Sequence, residues 1–214
     1  MMPSKKNIVL IGGGGHCKSC IDVIESTGLY NIKGILDLPS EFGKKVLNYS
    51  VIGNDDNIEK YHLEGDCFII TAGQIKSASL RKKLFERLIK INAQIETIVA
   101  STARVSVYSK IGKGTIVMHH TLVNADAEIG ENCIINSSAT IEHDVKIGNH
   151  SHISTNSVVN GDCKIGSENF IGSGSCISNG VEIGNNVVVG AGSLVVKNLS
   201  ESGIYIGNPV FKIK

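Results

Sequence analysis

The chain contains no tryptophan and only 5% aromatic residues, so its core is built from aliphatic side chains instead of stacked rings. Net charge is +1, from 21 Lys+Arg against 20 Asp+Glu, with a pI near 7.6. That near-neutral balance excludes the global basic field of a non-specific nucleic-acid or anionic-membrane binder. No apolar run approaches the roughly 18 to 20 residues that span a bilayer. The opening stretch MMPSKKNIVLIGGGGH has two lysines before a short apolar run, but the run ends in glycines where an export signal has a small-residue cleavage site, so a cytoplasmic protein is expected. Only six cysteines occur (17, 20, 67, 133, 163 and 176), and without an export signal they read as reduced thiols. Cys17 and Cys20 form one C-x-x-C, with neither a second ligand pair nor a thioredoxin-like context to support zinc or redox chemistry.

Glycine is abundant, at 24 residues, and Ile, Leu and Val together make up 61 of 214. This composition favours short β segments separated by tight turns. Ile-Gly recurs at 111–112, 129–130, 147–148, 165–166 and 183–184, a spacing of 18 each time. The finer period is six. Every sixth residue from Val99 to Val195 is Ile or Val, 17 positions in succession, and with this composition chance gives such a run with a probability on the order of 10⁻⁹. A hexapeptide β-helix has this period: one strand and one corner per hexad, and three hexads per triangular coil. Coils stacked at about 4.8 Å give a prism roughly 27 Å long. Two residues before each aliphatic the side chain is usually small, as at Thr115, Ala127, Cys133, Ser151, Cys163 and Ser175. The cysteines at 133 and 163 are therefore expected to pack inside the coil. The solenoid ends near residue 198, and the tail SGIYIGNPVFKIK is expected to form a cap over the last coil.

Residues 7–98 lack the hexad. IVLI before Gly12 reads as a buried strand, Cys17–Thr27 as a helix stopped at Gly28, Ile32–Leu36 as a second strand and CFIITA as a third. Ser77–Ile91 reads as an amphipathic helix with Leu80, Leu84, Leu88 and Ile91 on one face. Alternating strands and helices imply a small parallel sheet. The expected division is thus an α/β domain over 1–98, a β-helix over 99–198 and a cap over 199–214. The loop IGGGGH joins first strand to first helix, where an open α/β sheet binds ligands and a helix N-terminus offers free N–H groups to phosphate. Gly12 and Gly14 fit G-x-G, but Cys17 stands where a dinucleotide fingerprint has its third glycine, and a simple tight turn is the competing reading. Asp37, at the end of the second strand, is a candidate acceptor for a ribose or base.

Five of seven histidines (119, 120, 143, 150 and 152) fall in the solenoid, outside the aliphatic slots. His143 lies two residues past Ile141, near a corner, where neighbouring Asp144 can bond one ring nitrogen and leave the other as a base. No His-x₄-His pair of a solenoid zinc site is present, and no metal is expected.

The segments IGGGGHCKS, GILD, ITAG, INSSATIEHD, HSHISTNSVVNGD and the terminal GNP together resemble bacterial sugar acyltransferases of the sialic-acid O-acetyltransferase (NeuD) and bacillosamine N-acetyltransferase (PglD) type, over nearly the whole chain. The resemblance implies a Rossmann-like domain followed by a left-handed parallel β-helix, a homotrimer with sites between subunits, and acetyl transfer from acetyl-CoA to a nucleotide-linked amino sugar or to sialic acid. It implies His143 as catalytic base, Asp144 as its partner and the Gly161 N–H as a donor to the thioester oxygen. It further implies His152, Gly172, Ser173, Gly190 and Ala191 along the acetyl-CoA path, Asn136 near the acceptor, and Gly14, Gly15, His16, Asp37 and Gly73 at the nucleotide. The chain departs from the family at Cys17, where Gly or Ala follows the histidine, and at Leu38, where a second aspartate is usual. The leading expectation is acetylation of the 4-amino group of a nucleotide-linked 4-amino-4,6-dideoxyhexose for a surface glycan. A sialic-acid O-acetyltransferase and a non-catalytic nucleotide-binding scaffold are the alternatives.

Overall fold

The computed structural model describes residues 5–214, which divide into two compact units. Residues up to Gly73 together with Ser79–Ser101 form the first; Gln74–Ala78 and Thr102–Lys214 form the second. The first four residues of the expected N-terminal domain lie outside the described ones.

In the first unit the buried run of β1 (Lys6–Ile11) is central, with β2 (Tyr30–Leu36) and β5 (Cys67–Ile70) pairing parallel on either side. Between them α1 (Gly15–Thr27) buries Cys17, Cys20, Ile21 and Ile24, and stops where Gly28 adopts φ 67 and donates its N–H to the Glu25 carbonyl. Burial pushes the Cys17 thiol up to about 11 and the Cys20 thiol higher still. Both are therefore protonated packing groups at neutral pH, unsuited to nucleophilic work.

Two expectations need correction. The sheet is mixed, in the order β3-β4-β2-β1-β5: β3 (Lys45–Val46) and β4 (Tyr49–Gly53) form an antiparallel hairpin on its edge. A two-residue strand is too short to leave an alternation, so the hairpin is invisible to periodicity. In addition, α3 (Ser79–Lys90) does not bury Leu80, which is 55% exposed; its inner face is Arg81, Leu84, Phe85 and Leu88. Arg81 takes the inner place because its Nη1 donates to the carbonyls of Ile70 (2.8 Å) and Ala72 (2.7 Å), which close the end of β5. The short α2 (Ile58–Leu63) packs Ile58 and Tyr61 into the same core.

In the second unit the hexad coils as expected. From β7 (Arg104–Val105) to β22 (Leu194–Val195), each strand ends on a hexad aliphatic, and each as far as Cys176–Ile177 pairs parallel with the strand 18 residues on. All these aliphatics are buried except Val105 and Ile111 in the first coil. Three residues past each aliphatic from Ile111 to Val189, the backbone turns through positive φ: Gly114, His120, Asp126, Asn132, Ser138, Asp144, His150, Asn156, Asp162, Glu168, Gly174, Gly180, Asn186 and Gly192. This explains the Gly, Asn and Asp at these positions, since they tolerate the left-handed region best.

The small slots carry a second device. Thr115, Ser151, Ser157 and Ser175 each donate a hydroxyl to the carbonyl fifteen residues ahead, at 2.8 to 3.0 Å, and Cys133 and Cys163 donate their thiols in the same way. The 18-residue Ile-Gly signature has a steric origin. At that corner a Cβ on Gly112 or Gly166 would sit 2.5 Å from the coil above, so successive coils leave no room for a side chain. The tail forms β23 (Gly203–Gly207), parallel to β21 (Val187–Val189), and β24 (Val210–Lys212), antiparallel to it. Among the described residues no helix is long and apolar enough to cross a membrane.

Asn169 occupies a small slot with a larger side chain. It is fully buried, donates to the Gly166 and Gly184 carbonyls (3.0 and 2.7 Å) and accepts from the Val187 N–H (2.6 Å). Asn169→Ala leaves these groups buried without partners and is expected to lower stability by about 3 kcal/mol, measured by chemical denaturation.

Candidate active site

The corner that follows β13 (Thr140–Ile141) presents His143 and Asp144 side by side, with side chains 59% and 57% exposed. Asp144 holds the left-handed turn at φ 62, and its N–H is bonded to the Ala125 carbonyl one coil below. From this fixed backbone its Oδ2 meets His143 Nδ1 at 2.7 Å. A carboxylate only accepts, so Nδ1 carries the proton and Nε2 is left with a free lone pair. The Asp144 hydrogen bond holds the His143 pKa above the ordinary histidine value, aided by the charges of Asp144, Glu142 and Asp162.

One coil above, Gly161 lies against the imidazole: a Cβ there would come within 2.6 Å of Cε1 and 2.7 Å of Nε2. Glycine is thus what lets the ring rest on this corner. The Gly161 N–H meets no acceptor among the described residues. At two equivalent corners an asparagine fills that role, Asn124 Oδ1 accepting from the Ala125 N–H and Asn136 Oδ1 from the Ser137 N–H, both at 2.8 Å. The matching Asn160 turns away and donates to the Ile177 carbonyl at 2.7 Å. A ring nitrogen with a lone pair and an open N–H on the adjacent coil can accept a proton and bind a developing oxyanion.

The remaining solenoid candidates occupy a different corner. His152 is buried, its ring edge-on to Phe170 with centroids 5.2 Å apart. Its Nδ1 lies 2.6 Å from the Gln74 carbonyl oxygen, which can only accept, so Nδ1 donates and Nε2 accepts from Asn136 Nδ2 at 3.1 Å. His152 is thereby held in place as the support of Asn136. Gly172 and Gly190 stack two and three coils above Asn136. A Cβ on Gly172 would come within 2.5 Å of the Ala191 nitrogen, and one on Gly190 within 2.6 Å of Ile206. Coil packing alone accounts for both glycines. Ser173 Oγ bonds Ser154 Oγ at 2.9 Å.

The candidates in the first unit fall into two places. Asp37 is occupied on both oxygens, Oδ2 accepting from the Gly13 N–H and Oδ1 from the Leu38 N–H, each at 2.8 Å, so it braces the glycine loop. Gly12 sits at φ 105 with Ala72 where its Cβ would be. Gly14 caps α1 without a side-chain hydrogen bond, Gly15 opens the first turn, which holds no acidic residue, and both glycines face open space. His16 and Gly73 touch, with 3.4 Å between His16 Cβ and a Cβ placed on Gly73. A cleft of about 490 Å³ opens at the carboxyl ends of β1, β2 and β5, lined by Gly12 and Asp37 but not by Gly14, Gly15, His16 or Gly73. This is the switch point of the sheet, where strand order reverses across β1. Its other walls, Asn54, Asp55, Lys83 and Arg87, escaped sequence reading because a short turn and a helix face bring them together without any motif.

Two outcomes test the His143 corner. Asp144→Asn keeps an acceptor for Nδ1 but removes the charge that raises the His143 pKa, so the acidic limb of the pH–rate profile is expected to move to lower pH while the plateau falls. Gly161→Ala drives a methyl group into the imidazole and is expected to reduce turnover about 10²-fold, with the circular dichroism spectrum and melting curve retained.

The family description "PglD N-terminal domain" matches residues 7–88, and "Bacterial transferase hexapeptide (six repeats)" matches 108–143, 126–161 and 162–197. Among solved structures, PerB from Caulobacter crescentus in complex with CoA and GDP-perosamine is 30% identical, with 99% of each chain covered and a TM-score of 0.90. The same enzyme, GDP-perosamine N-acetyltransferase, has also been solved with one histidine replaced by alanine, again with CoA and GDP-perosamine, and matches with a TM-score of 0.91. The acetyltransferase domain of PglB from Neisseria gonorrhoeae in complex with acetyl coenzyme A is 25% identical, covering 98% of this chain and 100% of that one, with a TM-score of 0.92. No curated protein sequence matches significantly. The coiled unit is thus the left-handed parallel β-helix that the resemblance implied, preceded by a PglD-type α/β domain. The chain belongs to the acetyl-CoA-dependent sugar acetyltransferases that join these two domains.

Proposed function

We propose that the protein is a nucleotide-sugar N-acetyltransferase that moves acetyl from acetyl-CoA to the 4-amino group of a nucleotide-linked 4-amino-4,6-dideoxyhexose. The observation that carries this reading is the His143–Asp144 pair beside the open Gly161 N–H. The PerB complex with CoA and GDP-perosamine, and its histidine variants, support it.

In this mechanism the sugar amine attacks the thioester carbonyl while His143 Nε2 takes its proton. Asp144 stabilises the resulting imidazolium, and the Gly161 N–H binds the tetrahedral oxyanion. Collapse breaks the carbon–sulfur bond, and the imidazolium returns the proton to the departing thiolate. Attack is direct, because among the described residues no thiol or hydroxyl is hydrogen-bonded to His143 as a nucleophile. Asn136, oriented by His152, contacts the acceptor. Gly172, Ser173, Gly190 and Ala191 border the pantetheine, in a groove completed by a neighbouring copy of a homotrimer. Gly14, Gly15, His16 and Gly73 serve the nucleotide, on a loop that Asp37 braces.

The charge around His143 favours an amine over a hydroxyl of sialic acid. Asp144, Glu142 and Asp162 all act on the ring. Such a field attracts an ammonium-bearing sugar and repels the carboxylate of sialic acid.

His143→Ala is expected to lower thiol release from acetyl-CoA by 10²- to 10⁴-fold while leaving the oligomer intact by light scattering. With the unaltered protein, release should follow addition of a nucleotide-linked 4-amino sugar and not of free sialic acid. Release with sialic acid alone would reverse the choice of acceptor, and retained activity in the alanine variant would remove His143 from the mechanism.

A further inference from the structure

The cleft at the carboxyl ends of β1, β2 and β5 contains one carboxylate with nothing to bond. Asp37 already accepts one backbone N–H on each oxygen. Asn54 caps its own turn, its Oδ1 accepting from the Asp56 N–H and its backbone N–H donating to Asn57 Oδ1, both at 2.9 Å. Asp56 points largely into solvent, 3.8 Å from an Arg87 that pairs more closely with Glu59, at 3.1 Å. Asp55 is different. It is half-buried on the cleft wall and receives no hydrogen bond or ion pair from the described residues, and burial holds its carboxyl above the usual range. On the same wall Lys83 is exposed and makes no hydrogen bond or ion pair among the described residues, its charge and that of Arg87 acting on Asp55 through space.

The rest of the cleft is apolar. Ile11, Leu36, Ala72 and Leu84 form its buried lining, and Leu38 and Leu80 stand at its mouth 66% and 55% exposed, from two different elements. Exposed leucines flanking an apolar slot suit a flat ring whose faces are apolar and whose polarity lies on its edge. That edge must offer donors to Asp55 and an acceptor to Lys83. Guanine alone among the common bases has two adjacent donors, N1–H and the N2 amino group, for the two oxygens of one carboxylate. Its O6 and N7 are the acceptors that Lys recognises. Uracil and thymine present one N–H between two carbonyl oxygens, which a carboxylate repels. Adenine and cytosine set a lone pair beside their amino group.

We propose that this cleft selects guanine, with Asp55 accepting from N1–H and N2–H and Lys83 donating to O6 or N7, so that the sugar substrate is GDP-linked. The assignment rests on the nucleotide-sugar reading above and narrows it to one base.

Titration calorimetry of the full chain with GDP, UDP and dTDP tests it. GDP is expected to bind at least tenfold more tightly than the pyrimidine nucleotides. Asp55→Asn, which keeps the size of the side chain, should bring all three within a few-fold, and Lys83→Ala should weaken GDP while leaving UDP unchanged. Tighter binding of UDP or dTDP, or an undiminished preference for GDP in a folded Asp55→Asn protein, overturns the base assignment. Thiol release driven only by a UDP- or dTDP-linked amino sugar would overturn it too, yet leave the acetyltransferase reading standing. If no nucleotide binds, both readings fall.

Discussion

The registration of each coil on the one 18 residues away is the constraint on which the β-helix and its chemistry depend. Two-residue strands are too short to be stable alone, so backbone bonding to the coils above and below holds every corner in place. The same stacking makes interior space scarce. It accounts for the aliphatic ladder, for hydroxyls and thiols bonded to carbonyls fifteen residues on, and for glycines where coils meet backbone to backbone. A side chain on such a corner is held almost as rigidly as the strand that leads into it, which is what a catalytic base requires.

His143 uses that rigidity in two ways. Its partner Asp144 is itself the left-handed corner residue, so the acid orienting the imidazole is held by the turn geometry and by a bond to the coil below. The ring rests against Gly161 on the coil above, where an asparagine that could have occupied the open N–H turns elsewhere. His143 and the Gly161 N–H are thus 18 residues apart in sequence and adjacent in space. The Asp144 hydrogen bond and the nearby carboxylates keep the ring's pKa high, at the cost of less free base at acidic pH.

The two domains divide the work by the kind of backbone each offers. The β-helix supplies fixed corners for bond making. The α/β domain supplies a cleft at the reversal of strand order, where strand ends, a loop and a helix converge and a ligand can be read by its edge. Asp37 illustrates the difference between position and role. It stands where a ligand-binding acid is expected, yet both its oxygens are engaged in holding the glycine loop, and the unsatisfied acid is Asp55 on a separate turn.

The hexad was legible in the sequence because a solenoid repeats one local environment, so each aliphatic faces the same pressure and leaves a period that needs no partner to be seen. His143 and Asp144 were legible for the same reason, being neighbours placed by that period. A second six-residue rhythm, the Asn, Asp and Gly of the left-handed corners, was equally present in the sequence. Features that depend on residues far apart in the chain were not legible. Arg81 displaced Leu80 from the inner face of α3 because unsatisfied carbonyls at the end of β5 bind a guanidinium, and helical spacing contains no record of those carbonyls. His152 became a support for Asn136 because the Gln74 carbonyl, 78 residues away, holds its ring. The sequence by itself determined the coil, its corners and the pairing of His143 with Asp144, since these follow from local periodicity. Only the tertiary structure decided which polar groups are spent and which remain open, because that depends on packing between elements that share no sequence neighbourhood.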